Sequence, residues 1–95
     1  MPSAEEMLAT NPREAFTRFG RVASDPRHPE HEIAFARILE LATSADTQVR
    51  RYALHQLGEV GDARGEPVLR AALHDPSLVD ARLLVETALA CVTAS

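Results

Sequence analysis

Residues 46–62 read DTQVRRYALHQLGEVGD, and this segment gives the clearest indication of the fold. Asp46 is a good helix N-cap and Gly61 is a turn signal, so a helix is predicted between them at residues 47–60. At about 100° per residue, one face of this helix is apolar. Its members are Val49, Ala53, Leu57 and Val60, with Leu54 at the edge. Arg50 falls inside the same arc, which is unusual for an arginine.

Helix-capping and turn residues on both sides of this segment predict further helices. They are expected at residues 3–10, 12–24, 30–43, 65–74 and 77–93. No run of alternating β-branched residues predicts a strand. Helices of this length joined by short loops must pack as antiparallel neighbours. The sequence therefore predicts an all-α chain of five to six helices.

Length and composition narrow the fold and the possible partners. The 95 residues, 45% of them apolar, suffice for a single domain with a modest core. A net charge of −4 disfavours nucleic acid, and no apolar run approaches the roughly 18 residues that a membrane span needs. The only cysteine, Cys91, excludes an internal disulfide, and residues 1–6 lack the basic and apolar segments of a signal peptide. The expected compartment is the cytoplasm, with no nucleic-acid or membrane partner.

The segment at residues 46–62 resembles the HEAT-like repeat of the phycobilin-lyase type. The matching positions are Asp46, Val49-Arg50, Ala53, Leu57-Gly58 and Gly61-Asp62. Residues 30–43 match the preceding helix of that repeat, and a degenerate second copy follows Asp75. The resemblance implies a short α-solenoid of antiparallel helical hairpins. Residues 30–93 would form the repeats, and residues 1–29 would form N-terminal capping helices.

The resemblance also implies a role for the arginine inside the apolar arc. In such repeats, this arginine lies along the seam between helices and hydrogen-bonds the aspartates at the turns. Here it implies a structural ladder in which Arg50 meets Asp46 and Asp75, with Arg82 in the matching position of the second copy. A desolvated Arg–Asp pair specifies register more surely than it adds stability.

Two surfaces are candidate sites for a partner. The resemblance implies that the second helix of each hairpin lines the concave side. The residues placed there are Arg51, Tyr52, His55 and Glu59. Tyrosine and arginine are favoured interface anchors, and an ordinary solvated face is the alternative of equal weight.

The last helix provides the second surface, because Val79 and Leu83 lie outside its predicted buried face. Terminal repeats of a solenoid need a polar outer face, and this one is not polar enough. The helix is therefore expected to dock on the chain's own first helices, on a second copy, or on another protein.

The chemistry-bearing side chains do not form a catalytic constellation. His28, His31 and Glu32 suggest a metal site, but Pro29 places His28 before the helix and His31 faces its apolar side. The HEAT-like di-iron hydroxylases use four His-Glu pairs, whereas this chain has one. Cys91 lacks a nearby base in sequence and is interpreted as a small buried thiol. No cofactor is predicted.

These observations predict a non-enzymatic protein–protein interaction module, acting as an adaptor or a small subunit. The bilin lyases and alkylpurine DNA glycosylases of the HEAT-like family are much larger arrays. Two repeats are too few to enclose a tetrapyrrole or to wrap a duplex. One alternative is a structural or regulatory homodimer with no other ligand. Another is a small metal-binding protein or enzyme subunit that uses His28, His31 and Glu32.

Overall fold

The computed structural model describes residues 3–94, and this part of the chain is all-helical, as predicted. Its α-helices are α1 (Ala4–Met7), α2 (Pro12–Ala23), α3 (His31–Leu41), α4 (Thr47–Val60), α5 (Glu66–Ala72) and α6 (Arg82–Thr93). Two 3₁₀ segments, Ala63–Gly65 and Pro76–Ala81, lead into α5 and α6. No β-strand occurs within residues 3–94.

The predicted capping residues set the helix boundaries. The Ser3 hydroxyl accepts from the backbone amide of Glu6 at 3.2 Å, which starts α1. One Asp46 carboxylate oxygen accepts from the amide of Gln48 at 2.9 Å, so α4 begins at the predicted residue. Gly61 ends α4 with φ +73°, a left-handed conformation that glycine adopts without steric penalty.

The prediction of an α-helix at residues 77–93 is wrong over its first residues. Residues Pro76–Ala81 form a 3₁₀ segment, and α6 begins only at Arg82. Leu78 leaves helical geometry at φ −113°, ψ 16°. Leu78 and Ala81 are both buried. The segment that carries them is therefore part of the core, although it departs from the predicted α-helix.

Helices α2, α4 and α6 lie side by side and run in the same direction. Phe16 of α2 stacks on Tyr52 of α4 with ring centroids 6.0 Å apart, and one turn later Gly20 abuts Gln56. Because these contacts advance together along both helices, α2 and α4 are parallel. Helix α4 therefore forms the centre of a row, with α2 on one flank and α6 on the other.

The contact between α4 and α6 depends on small residues. Arg51 near the start of α4 donates to Asp80, just before α6, at 2.6 Å, and further along both helices Gly58 meets Ala88. A Cβ atom added at Gly58 would lie 2.7 Å from both Cα and Cβ of Ala88. The backbones of α4 and α6 are therefore so close at this point that no side chain larger than that of glycine fits at position 58.

The remaining helices pack against this row. Helix α3 contacts α2 and α4, α5 contacts α6, and α1 contacts α2, in a slab whose Cα atoms span 37 × 31 × 16 Å. The buried side chains form one continuous cluster. Its largest fully buried members are Phe16, Phe35, Ile38, Leu54, Leu57, Leu69 and Val85. Among the described residues, no helix is both long and apolar enough to cross a bilayer.

Candidate interaction surface

Arg50 lies in the seam between α4 and the segment that precedes α6. Its guanidinium donates to the Asp75 carboxylate and, at 2.8 Å, to the Ser77 hydroxyl, and its side chain is only 15% exposed. Donation from the hydroxyl and amide of Ser77 holds the pKa of Asp75 below its ordinary value, and the charge of Arg50 adds to this effect. The predicted contact of Arg50 with Asp75 is therefore present.

The other two members of the predicted ladder have different partners. One oxygen of Asp46 accepts from the backbone amides of Gln48 and Val49, so this residue acts as an N-cap. Arg82 donates to Glu86 of its own helix at 2.9 Å, and its side chain is 64% exposed. Its placement in the ladder is wrong because the 3₁₀ segment lies between Asp75 and α6 and changes the direction of Arg82.

Two of the predicted partner-binding residues on α4 are engaged within the chain. The guanidinium of Arg51 bonds Asp80, and the ring of Tyr52 packs on Phe16 and is partly buried. His55 and Glu59 project further and lie one turn apart, with 3.5 Å between the imidazole Nε2 and a carboxylate oxygen. Of these four residues, His55 and Glu59 are the most available to a partner.

Val79 and Leu83 are the most exposed large apolar side chains of the C-terminal region, at 73% and 75%. Helix α6 packs mainly against α4 and α5, so the chain's own first helices do not cover these residues. The interpretation that α6 docks on the N-terminal helices is therefore wrong. A second copy and another protein remain as the possible covers.

The structure brings the two predicted surfaces together in one groove between α4 and α6. We call it the α4–α6 groove; its volume is about 370 Å³. The residues that line it are His55, Gly58, Glu59, Leu83, Leu84, Thr87, Ala88 and Cys91. Its walls are therefore mostly small or apolar, while His55 and Glu59 form a polar rim on the α4 side.

A more polar groove of about 510 Å³ adjoins it and extends across α4 toward α2. Arg13 and Thr17 of α2 form one wall, Tyr52 of α4 lines the other, and His55 and Leu84 belong to both grooves. The exposed face of the helix row is therefore continuous from α2 to α6, and its apolar part lies at the α6 end.

Several residues of this surface are missing from the sequence-based prediction. Cys91 is exposed at the groove, so its interpretation as a buried thiol is wrong. Gly58 and Ala88 form the floor of the groove, where α4 and α6 are in close contact. The small size of both residues was the sequence feature from which this close contact could have been predicted. Ile33 is a third exposed large apolar side chain, at 66%, in a separate groove beside Phe19. Its position outside the apolar arc of α3 was detectable from the helical period.

The residues proposed for a metal site have other roles. His28 accepts from the backbone amide of Glu30 through Nδ1 at 3.0 Å, and so acts as a local cap. Arg64 binds the Glu32 carboxylate through two nitrogens, at 2.7 and 3.2 Å. His31 keeps a buried Nδ1 without a hydrogen-bond partner. Within residues 3–94, no group of three or more His, Cys, Asp or Glu side chains is placed to hold a metal ion.

Arg64 organises a cluster at the turn that follows α4. Its guanidinium lies 4.4 Å from the centroid of the Phe35 ring and bonds both Glu32 and Asp62. These hydrogen bonds hold the pKa of each carboxyl below its ordinary value and raise the pKa of Arg64. The cluster joins the start of α3 to the turn after α4.

Comparison of the chain with protein-family models, curated proteins and solved structures finds no significant match. The distinguishing feature of the surface is an apolar edge at one end of the helix row, where the exposed side chains of Val79 and Leu83 lie at and beside the α4–α6 groove.

Proposed function

We propose that this chain is a non-enzymatic protein–protein interaction module, an adaptor or a small subunit, and that it binds its partner in the α4–α6 groove. The exposure of Leu83 at the edge of this groove carries the proposal. Burying such a side chain is favourable by about 1.5–3 kcal/mol. A groove with an apolar centre and a polar rim has the composition of an interface.

The architecture that we propose for this module is a short HEAT-like solenoid, with repeats at residues 30–93 and a cap at residues 1–29. The parallel row of α2, α4 and α6 supports this interpretation. So do Asp46 and Asp75, each of which accepts a hydrogen bond from the backbone amide two residues further on and caps the helical segment that follows. Recurrence of one contact along the chain is the mark of stacked repeats.

We place this module in the cytoplasm. Cys91 is an exposed free thiol at the proposed binding surface. A reducing compartment keeps such a thiol from forming disulfides with other proteins. The location is thus consistent with a groove that must stay open to its partner.

A site-specific photo-cross-linker tests the proposal in the cells that make the protein. We expect a phenylalanine-based cross-linker at position 83 to give a covalent adduct of discrete mass, because that side chain would lie in the interface. The matched control is the same group at position 33. Ile33 is comparably exposed but lies in the separate groove beside Phe19. An adduct at position 33 alone, or at neither position, would overturn the assignment.

A further inference from the structure

We propose that the occupant of the α4–α6 groove is a second copy of this chain. The two copies would dock with their α6 helices antiparallel, so that Leu83 of each enters the groove of the other. This inference rests on the proposed function, since it names the partner of the same groove. An interface between two identical copies uses one patch twice, so that patch must contain both halves of every contact.

The shape of the patch meets this requirement. Leu83 projects from α6 at one end of the groove, with three quarters of its surface exposed. At the other end, the closely packed Gly58 and Ala88 form the floor of the groove, and Cys91 lines it beside them. One patch therefore carries a large apolar projection and a recess lined by small side chains.

The spacing along α6 gives the register of the two copies. Leu83 and Cys91 lie four residues before and after Thr87, about one helical turn in each direction. A two-fold axis passing beside Thr87 and perpendicular to α6 therefore brings Leu83 of each copy to Cys91 of the other. The small Thr87 side chain at the axis permits the two helices to approach closely.

The polar side chains on the exposed face of α4 fit the same axis. Gly58 abuts Ala88 and the two helices are parallel, so Leu57 lies level with Thr87. His55 and Glu59 lie two residues before and after Leu57, and both are more than half exposed. An axis at this level places His55 of each copy opposite Glu59 of the other. The rim is therefore complementary to itself, which a surface built for a different protein does not require.

The experiment measures mass by light scattering after size exclusion, over a range of protein concentrations. We expect the unaltered chain to reach twice the monomer mass, and Leu83→Glu to weaken the dimer by about 100-fold or more. Ile33→Glu is the matched control and is expected to leave the dimer intact. Circular dichroism establishes that both variants keep the helical fold, since neither side chain is buried.

Two further measurements test the register. Glu59→Arg is expected to weaken the dimer by about tenfold through loss of the contact with His55 of the other copy, and the double variant His55→Glu/Glu59→Arg is expected to restore it with a new pair of opposite charges. In a Cys91→Ala background, Thr87→Cys is expected to form a disulfide-linked dimer on mild oxidation. A dimer in which neither change has its expected effect would overturn the antiparallel arrangement.

The outcomes separate this inference from the proposed function. A monomer at every concentration, together with an adduct to a different protein from position 83, overturns self-association and leaves the interaction module standing. A monomer with no adduct overturns both proposals. A dimer that Leu83→Glu does not weaken places the contact elsewhere and overturns the groove as the site.

Discussion

Helices α4 and α6 are parallel neighbours of similar length, yet their surroundings differ. Helix α4 has α2, α3 and α6 around it, whereas α6 lies at the end of the row. Arg50 of α4 is held in a seam by Asp75, while Arg82 of α6 bonds Glu86 of its own helix. The comparison teaches that position in the row, rather than the sequence pattern of a helix, decides whether a side chain is structural or available to a partner.

Truncation of one leucine on each helix is expected to give the largest difference in stability between α4 and α6. We expect Leu57→Ala to lower the free energy of unfolding by about 2–5 kcal/mol, because the side chain is fully buried. Leu83→Ala is expected to change the stability of the isolated chain by less than about 0.5 kcal/mol. Urea denaturation at a concentration where the chain is monomeric gives both values. Equal losses would mean that α6 is covered within its own chain.

The close contact between the two helices gives a second test. Gly58→Ala is expected to destabilise the chain by about 1–3 kcal/mol, because the new methyl meets the backbone of Ala88. Gly20→Ala is the control, since its methyl would meet the flexible end of Gln56, which can move aside. Thermal unfolding compares the two variants. If Gly20→Ala is the more harmful, the rigid contact is between α2 and α4 instead.

The two arginines sharpen the comparison at a smaller scale. Arg50→Ala removes hydrogen bonds to Asp75 and Ser77 in the seam, and we expect a loss of about 1–2 kcal/mol. For Arg82→Ala, which breaks an exposed pair within one helix, the expected loss is below about 0.5 kcal/mol. Chemical denaturation of both variants under one condition provides the measurement. Comparable losses would show that the seam contributes no more than a surface pair.

Acid provides the smallest test, directed at the Arg64 cluster beside α4. The pKa values of Glu32 and Asp62 are lowered in the folded chain by Arg64. The stability they contribute is therefore present above their ordinary values of 4.5 and 3.8 and is lost as the pH falls below them. We expect the melting temperature of Arg64→Gln to fall less than that of the unaltered chain between pH 6 and about pH 3. Parallel curves would contradict this role of the cluster.

Features set by neighbouring residues along the chain were predictable from the sequence. Asp46 caps α4 through bonds to amides two and three residues away, so α4 has its predicted bounds. The turn at Gly61 depends on the backbone of one residue. Leu83 was identified as lying outside the buried face of its helix because the helical period alone places it there.

Features that depend on distant packing were not predictable in the same way. The pattern of residues 77–93 is helical, but the burial of Leu78 and Ala81 against the core favours a 3₁₀ turn. That turn directs Arg82 outward. The exposure of Cys91 and the joining of the two predicted surfaces both follow from the parallel placement of α4 beside α6.

The all-α class, the caps and the apolar faces were thus predictable, because they depend on contacts within a few residues. Which apolar faces are covered follows from the packing of the helices, because that packing joins residues about 30 positions apart, as Arg51 with Asp80 illustrates. The α4–α6 groove is a feature of this packing, since it exists only where α4 and α6 lie side by side.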